Sequence, residues 1–374
     1  MSLPTLCAPT KAVFILQNLR FSKNRLFSAK KMEKMVIRQA SSSSSKVQPY
    51  EFLERDLREM YELMTEEVAD NVPDKKFQKV CTYYFDFNDS WITSDSFAAR
   101  ATFLLSGAIN NHLGINEILE KQKQLGRLAE MALVAITMSD DALENAEVRK
   151  GIPSVNRLYG ARGAMMGAMM LQNIAIKIAS KMESKECMDA IIESSSMVIS
   201  EFLQYEIELN DDLMTPYLHK TYLKTAHYAA LTGKAVAVLA GADDQLVEKA
   251  SQIARNLAMA AQLVDDLQDY VSTPETIGKH TGADLRDGIV TAPVIYAYEK
   301  YPDKMRPLIL RRFQGPEDHK MVLDLIHKAN AIGRTKKLIE KYIEDANSLI
   351  RSMKKSPYQK SLLIMWDKVF KKEV

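Results

Sequence analysis

From residue 50 to the C terminus, apolar residues recur every three or four positions, and little interrupts them. In "PYEFLERDLREMYELMTEEVADNV" they are Phe52, Leu53, Leu57, Met60 and Leu63, a stripe down one side of a helix. The same period runs through "SDSFAARATFLLSGAIN", "KQKQLGRLAEMALVAITMSDDALENA" and "ARGAMMGAMMLQNIAIKIAS". It continues in "CMDAIIESSSMVISEFLQYEIEL", "TPYLHKTYLKTAHYAALTGKAVAVLAGA" and "LVEKASQIARNLAMAAQLVDDLQDYV", each read as one long helix. With 14 glycines and 12 prolines in 374 residues, the chain has too few turn residues for a β-rich fold. No segment alternates with period two, and there is no heptad seam or repeat. "KGIPSVNRLYG" reads as a break, and "STPETIGKHTGADLRDGIVT" as a polar loop. Small residues Gly163 and Gly167 share one helix face and permit close packing there. The pattern predicts an all-α fold, with one large domain over residues 47–374.

The first 46 residues differ. They hold nine Lys or Arg and one acid, Glu33, so the net charge of +2 leaves roughly −6 for the remainder. "FILQNLRFSKNRLFSAKK" followed by "SSSSS" is basic, serine-rich and nearly acid-free, with apolar Phe14, Leu16, Leu19 and Leu26. This composition predicts an organelle transit peptide, mitochondrial first; a disordered basic tail is the alternative, with the cytoplasm as compartment. Cys7, Cys81 and Cys187 have no metal-ligand spacing and make no disulfide framework. No apolar run is long enough to span a membrane, and the small net charge gives no reason to expect nucleic acid as a partner.

Two acidic clusters interrupt apolar sequence. "MSDDALENAEVRKG" carries Asp140, Asp141 and Glu144, and "AAQLVDDLQDY" carries Asp265, Asp266 and Asp269. Positions i, i+1 and i+4 place three carboxylates along one helix edge. Alone, such a cluster is more often a solvated face. Here "MALVAITM" precedes one and "LAMAAQLV" the other, so the carboxylates border a core and call for cations nearby. Two such edges facing each other across a bundle suit Mg²⁺ and a diphosphate between them.

"SDDALENAEVRKGIPSVNRLYG", "YLKTAHYAALTG", "AAQLVDDLQDY" and "GKHTGADLRDGIVTAPVIYA" resemble the trans-isoprenyl diphosphate synthase family, above all the long-chain polyprenyl synthases that make quinone side chains. "SPYQKSLL" near the C terminus adds to the likeness, which covers roughly residues 50 to 374. The resemblance implies a bundle of long antiparallel helices around a central pocket, usually dimeric; a homodimer is expected and a heteromer is the alternative. It implies that Asp140, Asp141 and Glu144 form the first metal-binding motif and Asp265, Asp266 and Asp269 the second. Together these hold Mg²⁺, three ions when diphosphate is bound. Asp140, Asp141, Asp265 and Asp266 are its implied catalytic residues. Arg100, Arg149, Lys224, Lys279 and Gln262 are its implied diphosphate contacts, and Thr225 completes the "KT" pair.

The chain departs from the family's pattern where the second substrate, isopentenyl diphosphate, would bind. Phe97 stands at the lysine position of the "GGKRxRP"-like turn, Ala101 at its proline, and only Arg100 survives. Leu133 stands at the histidine position, Ser139 precedes the first aspartate pair in place of histidine, Met169 replaces an aspartate, and Lys150 replaces the second arginine of "RRG". Loss of these contacts predicts a terpene synthase that ionises farnesyl or geranylgeranyl diphosphate and converts the cation internally. The alternatives are a mitochondrial all-trans-polyprenyl diphosphate synthase or a non-catalytic subunit of one.

Overall fold

The computed structural model describes residues 51–85, 97–149, 151–204, 209–210, 212–271 and 282–373. The basic N-terminal segment, Lys150, Tyr205 and Lys279 lie outside these. Helices α1 (Glu54–Asn71), α2 (Lys75–Thr82), α3 (Phe97–Leu113) and α4 (Glu120–Leu143) come first. A short antiparallel ribbon, β1 (Val148–Arg149) and β2 (Ile152–Pro153), leads into α5 (Val155–Ala179). Then come α6 (Lys185–Glu193), α7 (Ser196–Leu203), α8 (Met214–Thr221), a π-helical turn (Tyr222–Ala226), α9 (His227–Leu239) and α10 (Asp244–Val271). The chain closes with α11 (Ala283–Asp287), α12 (Ala292–Lys300), α13 (Pro302–Leu310), α14 (Asp318–Lys328), α15 (Ala331–Arg351) and α16 (Pro357–Glu373). The all-α expectation holds.

The boundaries reflect local chemistry. Asp74, Ser154 and Ser184 cap α2, α5 and α6 by accepting the N–H of Phe77, Arg157 and Cys187, donors that a helix start leaves open. Gly288 ends α11 in the left-handed conformation, φ 75°. Two of the expected long helices are interrupted. Ser194 and Ser195 separate α6 from α7, their hydroxyls turned back onto the Ile191 and Ile192 carbonyls. The other carries the π turn between α8 and α9.

Two large apolar clusters share α10, and a small third one takes in its Ala258 and Met259. Its N-terminal half (Leu246, Ala250, Ile253, Leu257) packs into a cluster built from α1–α6 and α9. Its C-terminal half (Ala260, Leu263, Val264, Leu267) packs with α12–α15. Helix α10 therefore runs through the middle, against α9 on one side and α15 on the other. The α9–α10 approach is close because of Gly233, where an added Cβ would lie 2.6 Å from the Ala250 carbonyl oxygen and 2.8 Å from the Ala254 Cβ. Gly233→Ala is expected to destabilise the fold by about 1–3 kcal/mol; an unchanged denaturant midpoint would show that the helices can part. Of the two small residues of α5, Gly167 takes up the expected role: a Cβ there would meet Met138 Cε at 2.6 Å and Val80 Cγ1 at 3.0 Å. Gly163 would meet only its own helix neighbour Tyr159.

Candidate active site

The apolar stripe of α10, Leu246 to Leu267, covers about 140° of the helix circumference at 100° per residue. Asp265, Asp266 and Asp269 occupy about 100° on another side, where they line a cleft. The cleft space, mouth included, is about 790 Å³, and Glu144, Lys220, Lys224, Gln262 and Asp284 also line it. Each second-motif carboxylate stands in a different setting. Asp265 is exposed. Asp266 accepts the Tyr217 hydroxyl at 2.5 Å and the Gln262 amide at 3.0 Å. Asp269 accepts the N–H groups of Ala283 and Asp284, both at 3.0 Å, and so caps α11 from across the cleft. Burial, and then the charges of Asp266, Asp269 and Asp265, push the Asp284 carboxyl well above its usual range.

The π turn shapes the opposite wall. Widening of a helix by one residue per turn is rare and recurs at functional sites. Here it places Thr225 so that its hydroxyl donates to Gln262 Oε1 at 2.7 Å, while Lys224 reaches Glu201 of α7 at 3.1 Å. Burial works against the Lys224 ammonium, but Asp140, Glu201 and Glu144 more than offset it and keep it charged.

The first motif sits at the end of α4. Asp141 is fully buried. Arg149 donates to its Oδ1 from Nε at 2.8 Å and lies 2.7 Å from it through a terminal nitrogen, and Tyr84 donates to Oδ2 at 2.5 Å. The ribbon makes this possible: Gly151, at φ 80°, turns the chain so that Arg149 pairs with Ile152 and folds back onto α4. In sequence this stretch shows only a break, because strands of two residues leave no period to detect. Asp140 is different. Among the described residues its buried Oδ1 has no hydrogen-bond partner, and burial, against the pull of Lys224, pushes its pKa up to about 7.

The structure thus brings Glu144, Asp265, Asp266, Asp269, Lys224 and Gln262 to one cleft. Asp140, Asp141 and Arg149 stand directly behind it. Arg100 is buried in the first turn of α3 and does not line the cleft, and Lys279 lies outside the described residues. Tyr84, Glu201, Tyr217 and Asp284 are site residues that sequence reasoning does not reach; Tyr84 is 57 residues from its partner Asp141, and no local signal links them. Tyr159 and Phe202 are exposed.

Among the described residues, no group of three or more His, Cys, Asp or Glu could hold an ion alone. The Asp140 Oδ1, without a partner among the described residues, and the exposed Asp265 instead suit Mg²⁺, which takes one or two carboxylates and completes its shell with phosphate oxygens and water.

The protein family described as "Polyprenyl synthetase" matches residues 98–326. A relative from Yarrowia lipolytica, named "Probable hexaprenyl pyrophosphate synthase, mitochondrial", is 33% identical over 254 residues, which are 66% of this chain and 55% of that protein. The "Decaprenyl-diphosphate synthase subunit 1" of Schizosaccharomyces pombe is 30% identical over 261 residues, 68% of this chain and 69% of that one. The crystal structure of a Caulobacter crescentus polyprenyl synthase, complexed with calcium and isoprenyl diphosphate, superposes with a TM-score of 0.74 at 22% identity, covering 87% of this chain and 97% of that one.

These relatives overturn the terpene-synthase expectation, since both are named for polyprenyl chain synthesis. The physical weakness of that expectation lies at α3. It rests in part on Phe97, whose half-buried ring packs against the apolar core.

Proposed function

Because this chain belongs to the polyprenyl synthetase family, we propose that it is a Mg²⁺-dependent, mitochondrial all-trans-polyprenyl diphosphate synthase. It lengthens an allylic diphosphate by adding isopentenyl diphosphate. The observation that carries this reading is the convergence of Glu144 with Asp265, Asp266, Asp269 and Lys224 on one cleft. The basic, serine-rich first 46 residues and the name of the Yarrowia relative support the compartment.

Asp140, Asp141, Glu144, Asp265, Asp266 and Asp269 are the proposed Mg²⁺ ligands. Held by these carboxylates, Mg²⁺ (three ions with diphosphate in place) would supply the positive charge that offsets the charge gathering on the leaving group. Lys224 and Arg149 bind diphosphate oxygens, with Lys279 and Arg100 as further contacts. Gln262, held by Thr225, orients Asp266. As the allylic C–O bond breaks, its electron pair leaves with the diphosphate. The double bond of isopentenyl diphosphate then attacks the cation, forming the new C–C bond, and the resulting cation passes a proton to the released diphosphate as the new double bond forms. Arg149 holds Asp141 through Nε and one terminal nitrogen, and its remaining N–H groups are placed to meet diphosphate oxygens.

The test uses full-length protein with Mg²⁺, farnesyl or geranylgeranyl diphosphate, and labelled isopentenyl diphosphate. Longer prenyl diphosphates are expected, and only when the label is present. Hydrocarbons or alcohols formed equally without it would sink the proposal. For the assembly, exposed apolar side chains on α5 (Met166, Met169) and α7 (Val198, Ile199, Phe202) support an interface. A homodimer is the first reading; the "subunit 1" in the name of the fission-yeast relative supports a heteromer as the second.

A further inference from the structure

The cations around the cleft are not equally committed. Arg149 is bound to Asp141, and Lys224 is paired with Glu201. Lys220 lies one turn before Lys224, on α8, and lines the same cleft. Its ammonium sits 5.4 Å from the centre of the Tyr217 ring, and among the described residues no carboxylate lies within ion-pairing distance of it. Asp266, Asp284 and Glu201 act on it from further away, burial draws its pKa down, and Lys224 adds like-charge repulsion. A half-buried cation held without a counterion is unfavourable unless an anion completes it.

The placement stems from the elements. Tyr217 and Lys220 are three residues apart on α8 and share a face. Tyr217 spends its hydroxyl on Asp266, which fixes the ring under the ammonium. The π turn begins two residues later, so Lys220 projects from regular helix while Lys224 projects from the widened turn.

We infer that Lys220 is a further diphosphate-binding residue, which contacts the allylic diphosphate directly and contributes to its selection over the second substrate. The inference rests on the cleft being the diphosphate site. A lysine that merely balanced the carboxylates would sit in contact with one of them; this one stands over an aromatic face and opens to the cleft.

The experiment compares full-length wild-type, Lys220→Met and Lys220→Arg proteins. Calorimetry monitors binding of Mg²⁺–pyrophosphate, and steady-state assays give KM for each substrate. Lys220→Met is expected to weaken pyrophosphate about tenfold to a hundredfold, the range for a lost hydrogen bond to a charged group. KM for the allylic diphosphate should rise in proportion while that for isopentenyl diphosphate stays within about twofold, and Lys220→Arg should recover most of the loss by restoring a charged donor. Wild-type pyrophosphate affinity in Lys220→Met would overturn the inference and leave the proposed function standing. So would a fall in thermal stability with both KM values raised alike, which is the signature of a structural lysine. If the wild-type protein itself fails to bind Mg²⁺–pyrophosphate, the reading of the cleft fails first and the inference with it.

Discussion

Asp265→Ala is expected to lower Mg²⁺-dependent product formation by at least about a thousandfold while leaving the fold intact. Removing one preorganised group from a charge-stabilising site costs about a hundredfold to a thousandfold, and here a metal position is lost as well. Asp265 is exposed in the cleft, so little packing depends on it. Asp266→Ala should be equally inactive but also less stable, because the Tyr217 hydroxyl and the Gln262 amide both lose their acceptor. Steady-state turnover paired with thermal melts separates the two. Retained activity in Asp265→Ala would remove the second motif from the chemistry and point towards a non-catalytic subunit.

The largest effect on stability is expected at Arg149. Arg149→Met leaves the fully buried Asp141 carboxylate with Tyr84 but without its cation. Breaking a buried pair on one side typically costs about 3–5 kcal/mol. Tyr84 cannot compensate by giving up its proton, since burial and the neighbouring Asp141 charge hold its hydroxyl far above the ordinary tyrosine range. Activity should fall too, because the same guanidinium is proposed to hold diphosphate. The double variant Arg149→Met with Asp141→Asn should regain much of the stability and none of the activity. Denaturant unfolding of the three proteins checks the claim; if Arg149→Met unfolds like the wild type, the pair is not the clamp described.

The helices were legible because burial imposes a period, and α10 is the clearest case: its apolar stripe and its three aspartates emerge on separate sides directly from the numbering. The acidic edges were legible for the same reason, as were Lys224 and Gln262 through the resemblance. Long-range pairing was not. Nothing near Asp141 indicates that Tyr84 will meet it, and nothing near Asp269 indicates that it will cap α11. Small irregularities were also hidden. The ribbon at Val148–Pro153 is too short to show a period, and the π turn carries an ordinary helical sequence. The expected function went astray because residue types at Phe97, Leu133 and Met169 were read as a lost second site, while the relatives are named for polyprenyl chain synthesis.

The π turn also has a mechanical consequence. One surplus residue in a helix acts as a phase shifter, rotating the N-terminal segment by about 100° relative to the C-terminal one. The first of these answers to the cleft, where Tyr217 meets Asp266. The second answers to the core, where Gly233 lets α9 lie against α10. Neither side has to compromise its orientation for the other. The chemistry at one end of the rod can therefore be retuned by substitution without unseating the packing at the far end.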